Sequence, residues 1–434
     1  MDIYFYAFSC LYNRIIVKLI EFDMKKIIVN VCLIALLPML SIAQSRKCAT
    51  MERMHKEHQQ NPSVKMQREE LEQYVQHHQH LYNVNKTSVV HTIPVVVHIV
   101  LNNPASVTDA QVTSQIAVLN QDFRKLNADT NLIPAPFKGL AADSEIQFCL
   151  ANIDPNGNPT TGITRTTTSV PAFTADYDSV KFTSMGGIDA WNTSNYLNIW
   201  VCNLAGGTLG YAQFPGGSAA TDGVVILYTA FGTMGTAAAP YNLGRTATHE
   251  VGHYLNLYHI WGDEPLCAND DLVTDTPLQA ADNGGCPTYP LLDACQTSAP
   301  GVMFMNYMDY VNDACMQMFS LGQKARMKTA LTGSRASLIA STVCSPTSIT
   351  VDMPLLSNVQ IYPNPTKNIL YIQSAVVLKN ATLNIFDYTG KKYSSQNYTN
   401  TSEIHISLSD CARGIYLVQL ISDNKCYTQK VILE

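Results

Sequence analysis

The eleven residues HEVGHYLNLYH, His249 to His259, hold three imidazoles and one carboxylate at spacings that suit metal chemistry. His249 and His253 are four residues apart, so on a helix both project from one face toward a single ion. Val251 and Leu255 fall near the opposite face, which predicts a helix resting on a core while its histidines line a cleft. His259 comes six residues after His253, too far round a continuous helix to join the same coordination sphere, so the helix must stop between them. Such a stop uses a residue in the left-handed region, where glycine is cheapest and asparagine comes next. Asn256 is placed to make that turn. Three nitrogen ligands leave the fourth position of a zinc ion open to water, whose pKa falls to about 7 in catalytic sites of this kind. Glu250, beside the histidines, is then a general base. A structural site has no use for that base, which argues against the alternative of a surface binding or adhesive protein that keeps zinc only as structure.

Elements able to position these residues are legible on either side. HTIPVVVHIVLN reads as a buried strand, and from Thr108 to Leu126 the residues Val112, Ile116, Leu119, Phe123 and Leu126 recur at helical spacing. EIQFCLA, LNIWVCNL and GVVILYT are further strands, separated by loops rich in Gly and Thr. Strands with two long helices imply a mixed, layered domain. Beyond a linker at 341–354, short alternating segments ILYIQS, TLNIFDYTG, IHISLSD, GIYLVQLIS and QKVILE predict a small β-sandwich over 355–434.

With 434 residues, 46% hydrophobic and 14% charged, the chain is long enough for at least two domains. A net charge of −6 without a basic block argues against nucleic acid as a partner. Lys25 and Lys26, an apolar run from Ile27 to Leu40, and the small-residue pattern Ser41-Ile42-Ala43 read as a signal peptide over 24–43, cleaved after Ala43. The run is shorter than the roughly 20 residues that span a bilayer, so no stable membrane span is expected. Residues 1–23 read as an upstream start with no structural role. The stretch 44–90 is polar, helix-friendly and poor in continuous apolar surface, as a detachable pro-segment would be; His77, His78 and His80 within it read as a solvated face. Export permits disulfides, and of the twelve cysteines Cys10 and Cys32 drop out with the leader. Cys267, Cys286, Cys295 and Cys315 can form two bridges in three ways, and spacing does not choose among them. Cys149 and Cys202, on apparently neighbouring strands, read equally as a pair or as buried thiols.

The motifs HEVGHYLNLYHIWGD, NYMDYVNDACM and YLNIWVCNLAGGTLGYAQFPGG together resemble the pappalysin family of metzincin zinc peptidases, over about residues 90 to 335. The metzincin pattern has glycine where Asn256 stands. The resemblance implies an α+β catalytic domain at 91–340, with a mixed sheet, long helices and a zinc cleft, that hydrolyses protein and peptide substrates. It makes Met308 the Met-turn floor beneath the metal and Tyr310 the hydroxyl partner of the carbonyl oxygen. Laid on this sequence, it pairs Cys267 with Cys295 and Cys286 with Cys315. It also makes Asp271, the Val273 carbonyl, Asp275 and Thr276 a calcium loop, and places Asp313 in the wall of the S1′ pocket, where a carboxylate favours Arg, then Lys, after the cut.

RKCAT, Arg46 to Thr50, resembles the cysteine-switch segment of related zymogens, with Cys48 filling the open zinc position and Ala49 standing where glycine is usual. The C-terminal IYPNPTKNILYI, GIYLVQL and QKVILE resemble the sorting domain of the type IX secretion system. That implies an immunoglobulin-like all-β sandwich, partnership with the type IX machinery, and secretion to the cell surface or medium through the periplasm and outer membrane.

Overall fold

The computed structural model describes residues 46–82, 89–264, 266–344, 359–387, 392–422 and 425–434. The stretches read above as an upstream start and a signal peptide, and most of the expected linker, lie outside them. The described residues form two compact units, one of 46–151 with 161–341 and the other of 152–160 with 342–434.

The described part of the first unit begins with the stretch that the sequence marks as a pro-segment, which folds as two helices, α1 (Thr50–Gln60) and α2 (Pro62–His78). Only Thr50, Arg68 and Val75 of the two helices are buried, so its polar composition is that of a strap laid on the unit. Of the three histidines expected on a solvated face, His77 and His80 are exposed, while His78 is half-buried and stacks on Tyr74.

β1 (His91–Leu101) is buried from Ile93 onward, and its near-continuous apolar run suits a parallel strand covered on both faces. α3 (Asp109–Phe123) follows, with the Thr108 side chain accepting from the Gln111 amide at its N-terminus. Val112, Ile116, Leu119 and Phe123 lie in the core. Leu126 does not: Lys125 takes φ 53°, which carries the chain off the helix and leaves Leu126 70% exposed.

β2 (Ile146–Leu150) and β3 (Ile163–Thr167) both pair with β1 in parallel, followed in the chain by β4 (Leu197–Cys202), β5 (Gly210–Ala212) and β6 (Val224–Leu227). The order is β2-β1-β4-β6-β5, parallel except for β5, which pairs antiparallel with β6. Cys149 and Cys202 are not neighbours in this sheet. Cys149 sits opposite Pro94 and Cys202 opposite Val100, on strands that each pair with β1; Cys149 is disulfide-bonded and Cys202 is a buried free thiol. β3 and β5 escape the sequence patterns because one is half-exposed and rich in Thr, and the other is three residues long and opens on Gly210.

The zinc-motif helix α4 (Arg245–Tyr254) packs against β5, β6 and α3. It is followed by α5 (Leu321–Thr332), which starts with a reciprocal capping box between Ser320 and Gln323. Disulfides join Cys267 to Cys295 and Cys286 to Cys315, with Cα separations of 5.8 and 5.7 Å.

The second unit is a curled antiparallel sheet of β7 (Val359–Tyr362), β8 (Ile369–Asp387), β9 (Lys392–Ser407), β10 (Gly414–Ser422) and β11 (Lys425–Leu433). Its order is β11-β10-β8-β7, with β9 also on β8. ILYIQS and TLNIFD are two halves of one long strand, and a register shift against β9 falls between them, at Gln373/Leu378. A bulge there lets β8 bend, so the two halves take different second neighbours, β7 and β10. Leu370, Ile372, Leu383, Ile385, Val418, Leu420 and Val431 fill the core.

Candidate metal centre

α4 places every one of its side chains in a buried setting. Val251 and Leu255 sit in the core and hold its rear face, as their spacing predicts. The helix ends at Tyr254, and Asn256 takes φ 79°, the left-handed conformation that reverses the chain. The Leu257 amide then donates back to the Gly252 carbonyl at 3.0 Å. His259 is thereby delivered to the other two histidines.

The three Nε2 atoms stand 3.3 Å (His249–His259), 3.2 Å (His249–His253) and 3.1 Å (His253–His259) apart. Each opposite ring nitrogen has its own acceptor: His249 Nδ1 faces the Tyr307 carbonyl at 2.8 Å, His253 Nδ1 the Leu257 carbonyl at 2.7 Å, and His259 Nδ1 the Asp263 carboxylate at 2.5 Å. If Nδ1 carries the proton in each ring, three lone pairs converge on one point. They cannot satisfy one another; a cation can. Zinc held by nitrogens at about 2.05 Å in a tetrahedron separates them by roughly 3.3 Å, so the site fits the ion. Burial, then the neighbouring imidazoles, keeps His249 and His253 well below the ordinary range, so they stay neutral, as ligands must.

Met308 is buried and packs against the histidine-bearing helix at Gly252. A Cβ on Gly252 would stand 2.5 Å from the Met308 sulfur, so glycine between the two helix histidines admits that side chain. Asp309, next in the chain, accepts from the Asn283 amide and the Gln279 side chain and ties the turn to the loop before it. The Tyr310 hydroxyl lies 3.2 Å from His259 Nε2.

The fourth side of the site is closed by the strap at residues 46–50. Cys48 Sγ belongs with the three histidines to a group whose ligand atoms all lie within 4.8 Å of one another. It stands 3.4 Å from Glu250 Oε2. Burial and the Glu250 charge push the thiol well above its ordinary value, so a thiolate there requires a cation beside it. Thr50, which sequence patterns do not single out, donates to Glu250 Oε2 at 3.0 Å and accepts from the Ala212 amide at 2.8 Å. Burial raises the Glu250 carboxyl to about 8, with the Cys48 and Thr50 hydrogen bonds acting the other way. The strap pairs with β5: Leu209 N donates to Lys47 O at 2.8 Å and Ala49 N to Gly210 O at 3.1 Å, in parallel sense. Ala49 is buried and its amide enters this pairing, so the close approach is met without glycine.

Asp313 is fully buried. Its Oδ1 receives Arg46 Nη2 at 2.5 Å, and its Oδ2 receives the Leu243 and Arg245 amides at 2.8 and 3.2 Å, at the start of α4. Asp271, the Val273 carbonyl and Thr276 come together, with Thr276 Oγ1 2.7 Å from Asp271 Oδ1 and 2.8 Å from Val273 O. Asp275 is turned to the start of α5, where it accepts from Ser320 and the Gly322 amide.

Comparison with known proteins agrees with this architecture. The pattern of the peptidase family described as pregnancy-associated plasma protein-A, M43, matches residues 185–332, and that of the secretion system C-terminal sorting domain matches 360–434. An extracellular metalloprotease of Verticillium alfalfae is 35% identical over 237 residues, which cover 53% of this chain and 70% of that protein. Against its counterpart in Podospora anserina, 42% identical over 145 residues, the match spans about half the relative's length, 48%. Among solved structures, mirolysin in complex with a compound is 53% identical with TM-score 0.58, covering 60% of this chain and all (100%) of that one. A promirolysin variant of Tannerella forsythia is 46% identical with TM-score 0.63, covering 69% of this chain and 98% of that one. The chain belongs to the M43, or pappalysin, family of zinc metalloendopeptidases and carries a C-terminal sorting domain for type IX secretion.

Proposed function

We propose that this chain is a secreted zinc endopeptidase, held latent by residues 46–50, that cuts protein substrates before Arg and, less well, before Lys. His249, His253 and His259 would hold the zinc, which when bound polarises the peptide carbonyl and acidifies water. Glu250 takes the proton of the attacking water and passes it to the leaving amine. The Tyr310 hydroxyl, 3.2 Å from His259 Nε2, is within reach of the carbonyl oxygen as charge gathers on it. Met308 keeps the helix histidines from rocking. In the precursor Cys48 would take the position the water needs, while Thr50 occupies the base.

The single observation that carries the preference is Arg46 in the Asp313 pocket. A guanidinium of the chain's own pro-segment already fills, at 2.5 Å, the place proposed for the residue after the cut. The fixed carboxylate suits the forked guanidinium better than a lysine ammonium. Hydrolysis of a peptide library by the mature enzyme, with and without a zinc chelator, tests this reading. Arg should dominate the position after the cut, and all cleavage should stop on chelation. Chelator-resistant cleavage would overturn the zinc mechanism, and an apolar preference after the cut would overturn the pocket.

We further propose calcium at Asp271, Val273 O and Thr276. Asp271 Oδ2 is buried with no hydrogen-bond partner, and burial raises the carboxyl to about 8, as for an acid lacking its counter-ion. Asp275 has a second use at the start of α5. Loss of thermal stability on calcium removal, at constant zinc, is the expected result; an unchanged Tm would discard the site.

A further inference from the structure

A second arginine of the strap, Arg53, fills a second acidic pocket. Arg53, three residues into α1, pairs with the Asp178 carboxylate through Oδ2 and donates to the Ala175 carbonyl at 3.4 Å. Its guanidinium lies over the Tyr211 ring at 5.5 Å from the centroid. Asp178 is held for this contact. It sits in the left-handed conformation at φ 52°, heading the turn Ser179–Lys181, and the buried Lys181 ammonium lies 3.2 Å from its other oxygen. Lys181 is anchored in turn on the Thr221 carbonyl at 2.6 Å.

The direction of the strap decides what this pocket would do in the mature enzyme. Arg46 fills the proposed S1′ pocket, Cys48 faces the histidines, and the chain then passes Thr50 to reach Arg53. If the residue after the cut sits at Asp313, a productive substrate must run the opposite way, antiparallel to β5. Its residues before the cut then pass where α1 now starts. The parallel pairing of the strap with β5 thus places Arg53 on the non-primed side with reversed polarity. Three residues of helix advance about 4.5 Å, and an extended chain rises about 3.3 Å per residue. With the length of an arginine side chain added, the pocket falls at the second or third residue before the cut.

We propose that Asp178, the Ala175 carbonyl and the face of Tyr211 form a non-primed subsite that takes an arginine side chain of the substrate. This rests on the zinc-peptidase reading above. Lys181 already neutralises much of the Asp178 charge, so recognition depends on the free oxygen, the carbonyl acceptor and the aromatic face together. All three suit a planar guanidinium, and a lysine ammonium gains less from them.

The test uses mature enzyme released from the full-length precursor. Peptides with Arg fixed after the cut carry Arg, Lys or citrulline at the second or third residue before it, and kcat/KM is compared. Wild type should favour Arg over citrulline roughly tenfold at one of these positions, the size of one charge-assisted hydrogen bond. Asp178→Asn should lose that preference and retain the preference after the cut. Equal rates for Arg and citrulline at both positions in wild type, or a preference that survives Asp178→Asn, would overturn the subsite. Should Asp178→Asn fail to fold, wild-type enzyme inhibited by a synthetic peptide of residues 46–60 gives the same answer. Citrulline at position 53 should raise Ki about tenfold, and an unchanged Ki would overturn the proposal. Absence of zinc-dependent cleavage of any peptide would instead refute the function on which the subsite rests.

Discussion

The zinc centre and the strap that covers it meet within a few ångströms, yet they are written into the chain differently. The centre is local. Three converging histidines, Glu250 and the turn residue fall within His249 to His259, because helical periodicity and one left-handed residue are enough to bring them together. The strap is not. Arg46, Cys48, Thr50 and Arg53 gain their meaning from Asp313, Glu250 and Asp178, which lie 125 to 267 positions away (178 − 53 and 313 − 46). Local chemistry fixes what the site can do, and on the function proposed above the distant contacts fix when and on what it acts.

Changes that separate the two regions sharpen this contrast. The largest effect belongs to the centre: Glu250→Gln should keep zinc, since the histidines are untouched, and lower kcat/KM of the mature enzyme by roughly two to four orders of magnitude. Metal analysis alongside the rate distinguishes loss of base from loss of zinc, and full activity in zinc-replete variant would break the account. Next comes Asp313→Asn, which can still accept from the Leu243 and Arg245 amides but loses its charge. Discrimination for Arg over a neutral residue after the cut should fall by about 1.5 to 3 kcal/mol, read as a ratio of kcat/KM values. An unchanged ratio would remove Asp313 from the pocket.

Smaller effects belong to the strap. Cys48→Ala should raise precursor activity about tenfold or more, as loss of at least 1.4 kcal/mol of blocking affinity requires. Thr50→Val should raise it less, on the order of fivefold, since it removes hydrogen bonds worth about 1 kcal/mol. A precursor equally silent in both variants would show that the strap blocks by bulk alone. Removal of residues 355–434 should leave kcat/KM unchanged and abolish release to the medium, and normal extracellular yield would deny the second unit its sorting role.

The same contrast explains which parts of the fold and site are legible in the sequence. The helix with its core-facing Val251 and Leu255, the central strand β1 and the reversal at Asn256 all follow from short-range pattern. Met308, Tyr310, the two disulfides and the pocket at Asp313 came from family resemblance, because nothing in their spacing assigns a role. β5 was illegible: three residues opening on Gly210 have no period, although the strap and the base both depend on it. Thr50 and Asp178 were missed for a related reason. A threonine two residues past a cysteine and an aspartate in a loop are ordinary until the sheet edge brings them to Glu250 and Arg53. Leu126 failed in the opposite sense, where a helical period ran on past the point at which Lys125 turned the backbone away.

Whether strap and centre are joined by a bond from Cys48 to the metal can be measured directly. Cobalt exchanged for zinc in the full-length precursor should give a thiolate-to-cobalt charge-transfer absorption, which disappears in Cys48→Ser and on maturation while the visible bands of the three-histidine site persist. A wild-type precursor with those visible bands but no thiolate band would contradict the account, because the metal would then be closed off by something other than Cys48.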